Sequence, residues 1–328
     1  MKEDILLMLK NDTDNFVSGQ NISDKLGVSR AAIWKYINQL KEDGYVIESV
    51  SKKGYKLISS PDLLTSEELS SLLNTNYIGK NIIHFDSIDS TNNKAKELAN
   101  HGEGEGTVVF AEEQTLGRGR LGRSWVSPKY KGAWMSIILR PQIDPYNISL
   151  ITQVGAAAVG KAMKDLDIDV CVKWPNDLIL NRKKVCGILT EMSGELNQMN
   201  HVIIGIGINV NQDLEDFPSD VYNVATSVKI EKGHEISRKI LVAKILNYFE
   251  EFYSDFITNL DAKNCLRFCK ENSILIGKEI NITRKDETFI AKAIDLNDRG
   301  ELVVRYHDGR IENLISGEVS LHGFYGLI

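Results

Sequence analysis

The sequence predicts an α+β fold in three parts, and three patterns support this prediction. Apolar residues near the amino terminus recur at helical spacing and are followed by two short strand-like stretches. The long middle of the chain mixes apolar strand segments with longer helical segments. The last section has short strands separated by Asp-Arg-Gly and Asp-Gly turns. We therefore expect an amino-terminal helical unit, a central mixed sheet with helices, and a small carboxy-terminal β-barrel.

Length and charge restrict the class of protein. The chain has 328 residues, of which 42% are hydrophobic, so we expect two or three domains with a sizeable core. Its formal net charge of -6 argues against a general nucleic-acid coat, and any DNA contact must come from a local basic surface. The four cysteines form no CxxC pair, which indicates a reducing compartment. We expect a cytoplasmic protein with no signal peptide, no membrane span and no membrane partner.

The amino-terminal part has the pattern of a winged helix-turn-helix. Ser18 and Ser29 can each cap a helix, and Gly27 lies in the turn between them. Ile33 begins an apolar stripe on the second helix of the pair. Two short strands then surround a hairpin tip at 51–54, which would be the wing.

Basic residues lie where such a unit meets DNA. Ser29, Arg30 and Lys35 are at the start of the second helix, and Lys52 and Lys53 are on the wing. A recognition helix and a wing contact phosphates at these places, so we predict DNA binding through these five residues. The alternative is a small interaction domain with a solvated basic edge.

The glycines of residues 117–125, GRGRLGRSW, match the dinucleotide-binding spacing GxGxxG at Gly117, Gly119 and Gly122. That fold needs a helix starting here and an acidic residue about 20 positions later. Instead Trp125 and a non-helical segment follow, so we predict a mobile loop rather than a dinucleotide site.

The arginines of this loop suit a different ligand. The planar guanidinium groups of Arg118, Arg120 and Arg123 match phosphate oxygens. Trp125 offers a face on which a base can stack. The alternative is a solvated surface loop.

The segment KWPND, residues 173–177, runs from a strand into a tight turn at Pro175. Asp177 can bond its own backbone there or face a ligand. Lys184 precedes an apolar strand, where a lysine either extends its ammonium group to solvent or meets a buried anion.

Two further motifs lie on either side of these segments. In GIGINV, residues 205–210, Gly205 and Gly207 remove side chains from one strand face, which favours tight core packing or the approach of a flat ligand. In DSIDSTN, residues 86–92, three small polar residues exceed what capping the next helix requires. They can recognise a polar, uncharged group such as a ureido ring.

Several common chemistries have no support in the sequence. It shows no Ser/His/Asp nucleophile system, no metal-ligand spacing among the six histidines, and no GxxxxGK[ST] phosphate loop. If ATP is used, the arginine loop must hold it.

The order DSIDSTN, EEQTLGRGRLGRSW, KWPNDL, KVCGILTE, GIGINV resembles the biotin protein ligases. With the winged helix in front, the chain resembles the bifunctional type, which is a biotin–[acetyl-CoA-carboxylase] ligase and a biotin operon repressor. The resemblance implies a winged helix-turn-helix at 1–60, a linker helix at 61–75, a catalytic domain at 76–270 and an SH3-like β-barrel at 271–328.

The resemblance also implies a reaction in two steps. Biotin and ATP, with Mg²⁺ carried by the phosphates rather than by a protein cage, give biotinyl-5′-AMP and pyrophosphate. A lysine of a biotin carrier domain, of the acetyl-CoA or pyruvate carboxylase type, then takes the biotin. The adenylate is expected to favour a homodimer that binds operator DNA and represses biotin synthesis and uptake genes.

The site residues follow from the same resemblance, motif by motif. The catalytic set is Arg118, Arg120, Lys184 and Asp177. The biotin-binding set is Ser90, Thr91, Asn92, Gln114, Gly117, Arg118, Gly119, Arg120, Lys184 and Gly187. The ATP and adenylate set is Arg118, Arg120, Arg123, Trp125, Asn176, Lys184 and Asn209. Gly117, Trp134, Gly187 and Leu189 are expected to line the path of the valerate chain.

Three rival interpretations remain at this point. The chain can be a biotin sensor without turnover, but the intact Arg118, Arg120 and Lys184 argue against this. It can be a lipoate ligase, but GRGR followed by Trp125 and the winged helix favour biotin. It can also be a ligase whose winged helix no longer binds DNA. The sequence distinguishes this alternative from a bifunctional ligase and repressor least well.

Overall fold

The computed structural model describes residues 1–195, 198–259, 261–284 and 287–322. The chain divides into two compact units, Met1–Ser71 and Leu72–Ile328. The last six residues of the predicted β-barrel, 323–328, lie outside the described residues.

The first unit is the predicted winged helix-turn-helix. Its elements are α1 (Lys2–Lys10), α2 (Gly19–Leu26), α3 (Arg30–Glu42), β1 (Val46–Val50), β2 (Gly54–Ser59) and α4 (Ser66–Leu69). Ser18 accepts a hydrogen bond from the Asn21 N–H at 3.1 Å, and Ser29 accepts one from the Ala32 N–H at 3.2 Å. The two serine caps predicted from the sequence are therefore present, and they begin α2 and α3.

The predicted linker helix over 61–75 is much shorter in the structure. Only α4 is helical, followed by a 3-10 turn at Ser70–Leu72. Buried Glu68 of α4 accepts a hydrogen bond from the Tyr45 hydroxyl at 2.6 Å, which holds this turn of helix to the first unit. The N–H of Asn74 bonds a distant side chain instead of a helical carbonyl, so the helix cannot continue through it.

The second unit is built around a seven-stranded mixed sheet. Its strands are β3 (Ile82–Phe85), β4 (Val108–Ala111), β5 (Ala133–Leu139), β6 (Cys171–Lys173), β7 (Asp177–Leu180), β8 (Lys183–Glu195) and β9 (Gln198–Ile208). The spatial order is β3-β4-β5-β9-β8-β7-β6. Only the β3–β4 pair is parallel among these neighbours, so the predicted mixed sheet is confirmed.

The helices of this unit are α5 (Thr91–Asn100), α6 (Ile148–Lys164), α7 (Val228–Lys232), α8 (Arg238–Asn259) and α9 (Lys263–Glu271). Of these, α5 and α6 pack on opposite faces of the sheet, and α8 and α9 pack on α6. Ala95 and Ala99 of α5 pack on one face, against Val109 and Ile203. On the other face Gly155 of α6 lies so close to Ile204 and Ile188 that a larger residue would collide. The even and odd residues of β9 therefore face different layers.

A five-stranded antiparallel sheet ends the described chain. It consists of β10 (Glu279–Arg284), β11 (Glu287–Leu296), β12 (Leu302–Tyr306), β13 (Ile311–Leu314) and β14 (Glu318–Leu321), in the order β13-β12-β11-β10-β14. The predicted turns at Gly300 and Gly309 have positive φ angles of 71° and 85°. The Trp174 indole donates a hydrogen bond to the Gly300 carbonyl at 2.9 Å, which links this sheet to the KWPND segment.

Candidate active site

A pocket of about 570 Å³ lies over the sheet face that carries Gly205, Gly207 and Gly187. Its size is typical of small-molecule sites. The predicted site residues that line it are Ser90, Thr91, Asn92, Gln114, Arg118, Gly119, Arg120, Arg123, Trp125, Asn176, Asp177, Lys184, Gly187, Leu189 and Asn209. Gly117 packs behind the lining against Trp125 and Gln114, and fully buried Trp134 belongs to the core.

One end of the pocket is a neutral hydrogen-bonding cradle. Gln114 Oε1 accepts from the Thr91 N–H at 2.9 Å. The Ser136 hydroxyl donates to Asn92 Oδ1 at 2.5 Å and lies 2.8 Å from Thr91 Oγ1. Ser90 is the N-cap residue of α5, but its side chain makes no capping bond. Capping therefore does not explain Ser90. Sequence reasoning missed Ser136, because one polar residue inside an apolar strand gives a weak signal.

Asn92 reaches the cradle because Gly205 has no side chain. A Cβ at Gly205 would lie 2.1 Å from Asn92 Oδ1. The Asn92 amide donates to Glu191 Oε2 at 2.7 Å, and Lys96 Nζ lies 2.5 Å from Glu191 Oε1. Burial acts to raise the pKa of Glu191, but the hydrogen bonds from Lys96 and Asn92 outweigh it and lower that pKa. An ionised carboxylate thus fixes the orientation of the Asn92 amide.

The arginine loop, residues 117–125, forms a hairpin in the structure, and its mobility without ligand stays a prediction. The Trp125 N–H donates to the Gly117 carbonyl at 2.8 Å, and the Gly119 N–H donates to the Arg123 carbonyl at 2.7 Å. Each arginine also has a side-chain partner. The pairs are Arg118 with Asn93, Arg120 with Asn176, and Arg123 with Glu318.

Trp125 of this hairpin packs on the glycines of the pocket floor. Cβ atoms at Gly207 and Gly187 would lie 2.7 and 3.0 Å from its indole. The flat group that approaches these glycines is therefore the protein's own indole. Lys184 Nζ lies 5.2 Å from the centre of the Trp125 ring, a cation–π distance. Trp134 meets the same indole edge-on at 6.5 Å between ring centroids.

The charged centre of the pocket is the pair formed by Lys184 and Asp177. Lys184 Nζ lies 2.6 Å from Asp177 Oδ1, although not in hydrogen-bond geometry. Beside them, Arg120 donates to Asn176 Oδ1 at 2.9 Å, and the Asn176 amide donates to the Ile188 carbonyl at 2.9 Å. Arg120 and Lys184 thus bring two positive charges to the same part of the pocket, where they can attract an anion.

A segment that sequence reasoning missed closes another side of the pocket. Its apolar side chains come from Phe217, Val221, Val224 and Ala225. The Lys184 N–H donates to the Val224 carbonyl at 2.8 Å, which anchors the segment beside the charged centre. Buried Asn209 donates to the Thr226 carbonyl at 3.0 Å, so it supports this segment. The apolar residues spaced through the loop after GIGINV are the feature of the sequence that could have indicated this part of the pocket.

The last sheet also contributes to the pocket. Its lining residues are Thr283 and residues 317–320. Glu318 pairs with Arg123 of the hairpin. Sequence reasoning missed these residues because nothing local in the segment indicates a partner almost two hundred positions away.

The described residues offer no metal cage and no membrane span. No group of three or more His, Cys, Asp or Glu side chains among them could hold a metal ion. No helix of the described chain is long and apolar enough to cross a membrane.

The predicted DNA-contacting residues are exposed on the first unit. They are Ser29, Arg30, Lys35, Lys52 and Lys53. Ser29 also caps α3, and Lys52 has a positive φ of 67° at the hairpin tip. Trp34, which sequence reasoning missed, is 62% exposed on α3 between Arg30 and Lys35 in sequence.

Comparison with protein families defines the class of the chain. Residues 84–209 match the biotin/lipoate A/B protein ligase family. Residues 2–56 match an HTH domain, and residues 275–322 match the biotin protein ligase C terminal domain. The chain thus has the domains of a biotin/lipoate-type protein ligase that carries a helix-turn-helix.

Individual relatives narrow this class. Bifunctional ligase/repressor BirA of Bacillus subtilis (strain 168) is 39% identical over 323 residues, 98% of each chain. BirA of Escherichia coli (strain K12) is 30% identical over 311 residues, 93% of each chain. Biotin protein ligase from Aquifex aeolicus, solved in complex with biotin and ATP, aligns with a TM-score of 0.65 and 30% identity, over 74% of this chain and 99% of that one. The chain belongs to the bifunctional ligase/repressor BirA family, which confirms the resemblance found in the sequence.

Proposed function

We propose that the chain activates biotin with ATP to biotinyl-5′-AMP, transfers the biotin to a lysine of a carrier domain, and represses transcription with the adenylate as corepressor. One observation carries this proposal. A single pocket joins a neutral polar cradle to a cluster of cations and an indole, in a chain of the BirA family. Such a pocket suits an uncharged ring, two reacting anions and a base.

The cradle would hold the ureido ring of biotin. Ser90, Thr91, Asn92 and Gln114 supply donors and acceptors in fixed orientations, and Ser136 connects two of them. The apolar valerate chain would pass Gly187 and Leu189, which line the pocket beyond the cradle. Gly119, which lines the pocket, would let the hairpin backbone approach this valerate chain.

The cations would bring two anions together in the first step. A biotin carboxylate oxygen attacks the α-phosphorus of ATP, the new P–O bond forms, and the bond to the β-phosphate breaks to release pyrophosphate. Arg118, Arg120 and Lys184 would balance the negative charge that accumulates there. Arg123, Trp125 and Asn176 would hold the nucleotide part, with Asn209 supporting the adjacent segment.

In the second step the lysine amine of the carrier attacks the carbonyl carbon of the mixed anhydride, and AMP leaves. We assign Asp177 to orienting that amine, because its carboxylate lies beside Lys184 at the same centre. The carrier would be a biotin carrier domain of the acetyl-CoA or pyruvate carboxylase type. A related protein of Paracoccus denitrificans is named biotin–[acetyl-CoA-carboxylase] ligase.

The first unit would bind operator DNA through Ser29, Arg30, Lys35, Lys52 and Lys53. We further propose that the adenylate favours a homodimer, because ligand binding would fix the arginine hairpin. A dimer presents two such units to a two-fold operator, which strengthens DNA binding.

The test is biotin-dependent exchange of labelled pyrophosphate into ATP, which needs neither carrier nor DNA. We expect exchange with biotin and none above background with lipoate or octanoate. Binding of biotin without exchange would make the chain a sensor and refute the catalytic proposal. Exchange with lipoate instead would refute the choice of acid.

A further inference from the structure

Lys173 is a cation of the pocket that has no role in the reaction described above. It is partly buried and lines the pocket. Among the residues that the structure describes, no side chain or carbonyl forms a hydrogen bond or ion pair with its ammonium group. The other four cations of the lining all have such a partner.

The register of the sheet fixes where Lys173 lies. Gly207, Gly187, Asp177 and Lys173 are direct partners across the neighbouring strands β9, β8, β7 and β6. Partners in antiparallel strands face the same side, and strands are about 4.8 Å apart. Lys173 therefore lies one strand beyond Asp177, on the side away from the cradle at Gly205.

This position agrees with the direction of the first step. In phosphoryl transfer the attacking and leaving oxygens are roughly in line on opposite sides of the phosphorus. Biotin enters from the β9 side, where the cradle is, and its carboxylate meets the α-phosphate near Lys184 and Asp177. Pyrophosphate must then leave toward β6. Given the proposed function, on which this inference rests, we propose that Lys173 binds the β- and γ-phosphates of ATP and the departing pyrophosphate.

The charges around Lys173 support an anion there. Burial lowers the pKa of the Lys173 ammonium most, and the charges of Lys184 and Arg123 lower it further. The carboxylates of Asp177 and Glu318 oppose this but do not outweigh it. Five cations but only two carboxylates line the pocket, so the lining has an excess of positive charge without a nucleotide. A multiply charged phosphate group would offset both the burial and the repulsion.

The experiment measures the effect of Lys173 on pyrophosphate binding separately from its effect on adenylate binding. Lys173→Met and Lys173→Arg are compared with the unchanged protein in pyrophosphorolysis of preformed biotinyl-5′-AMP. We expect Lys173→Met to raise the KM for pyrophosphate about 10-fold to 100-fold, the loss of one charge-assisted hydrogen bond. The KM for pyrophosphate of Lys173→Arg should lie between that of Lys173→Met and that of the unchanged protein, because arginine keeps the positive charge. The Kd of biotinyl-5′-AMP and single-turnover transfer to a carrier domain should change less than about twofold, because the adenylate lacks these phosphates.

A matched control is Lys161→Met, since Lys161 is also partly buried but does not line the pocket. A KM for pyrophosphate within about twofold of the unchanged protein in Lys173→Met would overturn the inference. The inference would also be overturned if Lys173→Met lost transfer activity or adenylate binding by the same factor as pyrophosphorolysis. That result would indicate a structural or carrier-binding role for Lys173. If the unchanged protein shows no exchange with biotin, the proposed function itself fails and takes this inference with it.

Discussion

At the scale of single residues, stability should depend strongly on a buried charge pair in the second unit. Glu112 is 0% exposed and Arg238 is 2% exposed, and Arg238 Nη1 lies 2.7 Å from Glu112 Oε2. Arg238 also donates to the Gly132 carbonyl at 3.1 Å, and His84 Nε2 lies 3.0 Å from Glu112 Oε1. The pair joins Arg238, the first residue of α8, to the residue after β4 and to the residue before β5. The cradle residue Gln114 is two positions after Glu112 in the chain.

Removing one member of this pair should lower stability strongly. We expect Arg238→Met to lower the free energy of unfolding by about 3–5 kcal/mol, because it takes the Arg238 guanidinium away from a carboxylate that is fully buried. Urea denaturation followed by circular dichroism measures this. Arg267→Met on the exposed face of α9 is the control and should change stability by less than about 0.5 kcal/mol. A loss below about 1 kcal/mol in Arg238→Met would contradict the assigned role.

At the scale of elements, the hairpin 117–125 and the helix α3 are the two parts expected to act on ligands. The hairpin has its own backbone bonds, but Leu121 at its tip is 74% exposed. Its arginines hold Asn93, Asn176 and Glu318, which come from three distant parts of the second unit. An adenylate would add contacts to the same side chains and so reduce opening of the hairpin.

Limited digestion with trypsin tests this ordering. Cleavage after Arg118, Arg120 and Arg123 should slow at least about tenfold with saturating biotin and ATP, because a protease needs an opened segment. Cleavage at Lys52 and Lys53 on the wing of the first unit gives an internal control. Equal rates at the hairpin with and without ligands would show that the ligands do not order it.

The recognition helix α3 allows a test that leaves the pocket alone. Arg30→Ala should weaken operator binding and reduce the slope of log affinity against log salt by about 1, as expected for one lost phosphate contact. Lys25→Ala on the exposed part of α2 is a control of equal charge change. Pyrophosphate exchange should be unaffected in both variants. An unchanged salt slope in Arg30→Ala would remove Arg30 from the DNA-contacting set.

At the scale of the whole molecule, the ligase pocket and the helix-turn-helix belong to different compact units. A coupling between them must act through an equilibrium that both ligands bias, and the proposed dimer supplies one. Any effect of the adenylate on DNA binding must then be matched by an equal effect of DNA on adenylate binding.

Sedimentation equilibrium with and without biotinyl-5′-AMP measures the proposed coupling. We expect the adenylate to raise the association constant about 5-fold to 150-fold, the usual range for coupled sites. AMP alone is the control and should leave association unchanged. Identical association with and without the adenylate would refute the dimer as the link between the two units.

The sequence by itself determined the winged helix-turn-helix, the ligase class and fifteen of the residues that line the pocket. Caps such as Ser18 and Ser29 depend on neighbouring residues, and motifs such as GRGRLGRSW keep their ligand groups within one segment, so local reasoning reaches them. Only the tertiary structure decided that the linker helix is short, that Glu318 meets Arg123, and that Ser136 completes the cradle. It also placed Lys173 in one row with Asp177, Gly187 and Gly207. Strand register and long-range packing create these contacts, and both depend on residues that are far apart in the sequence.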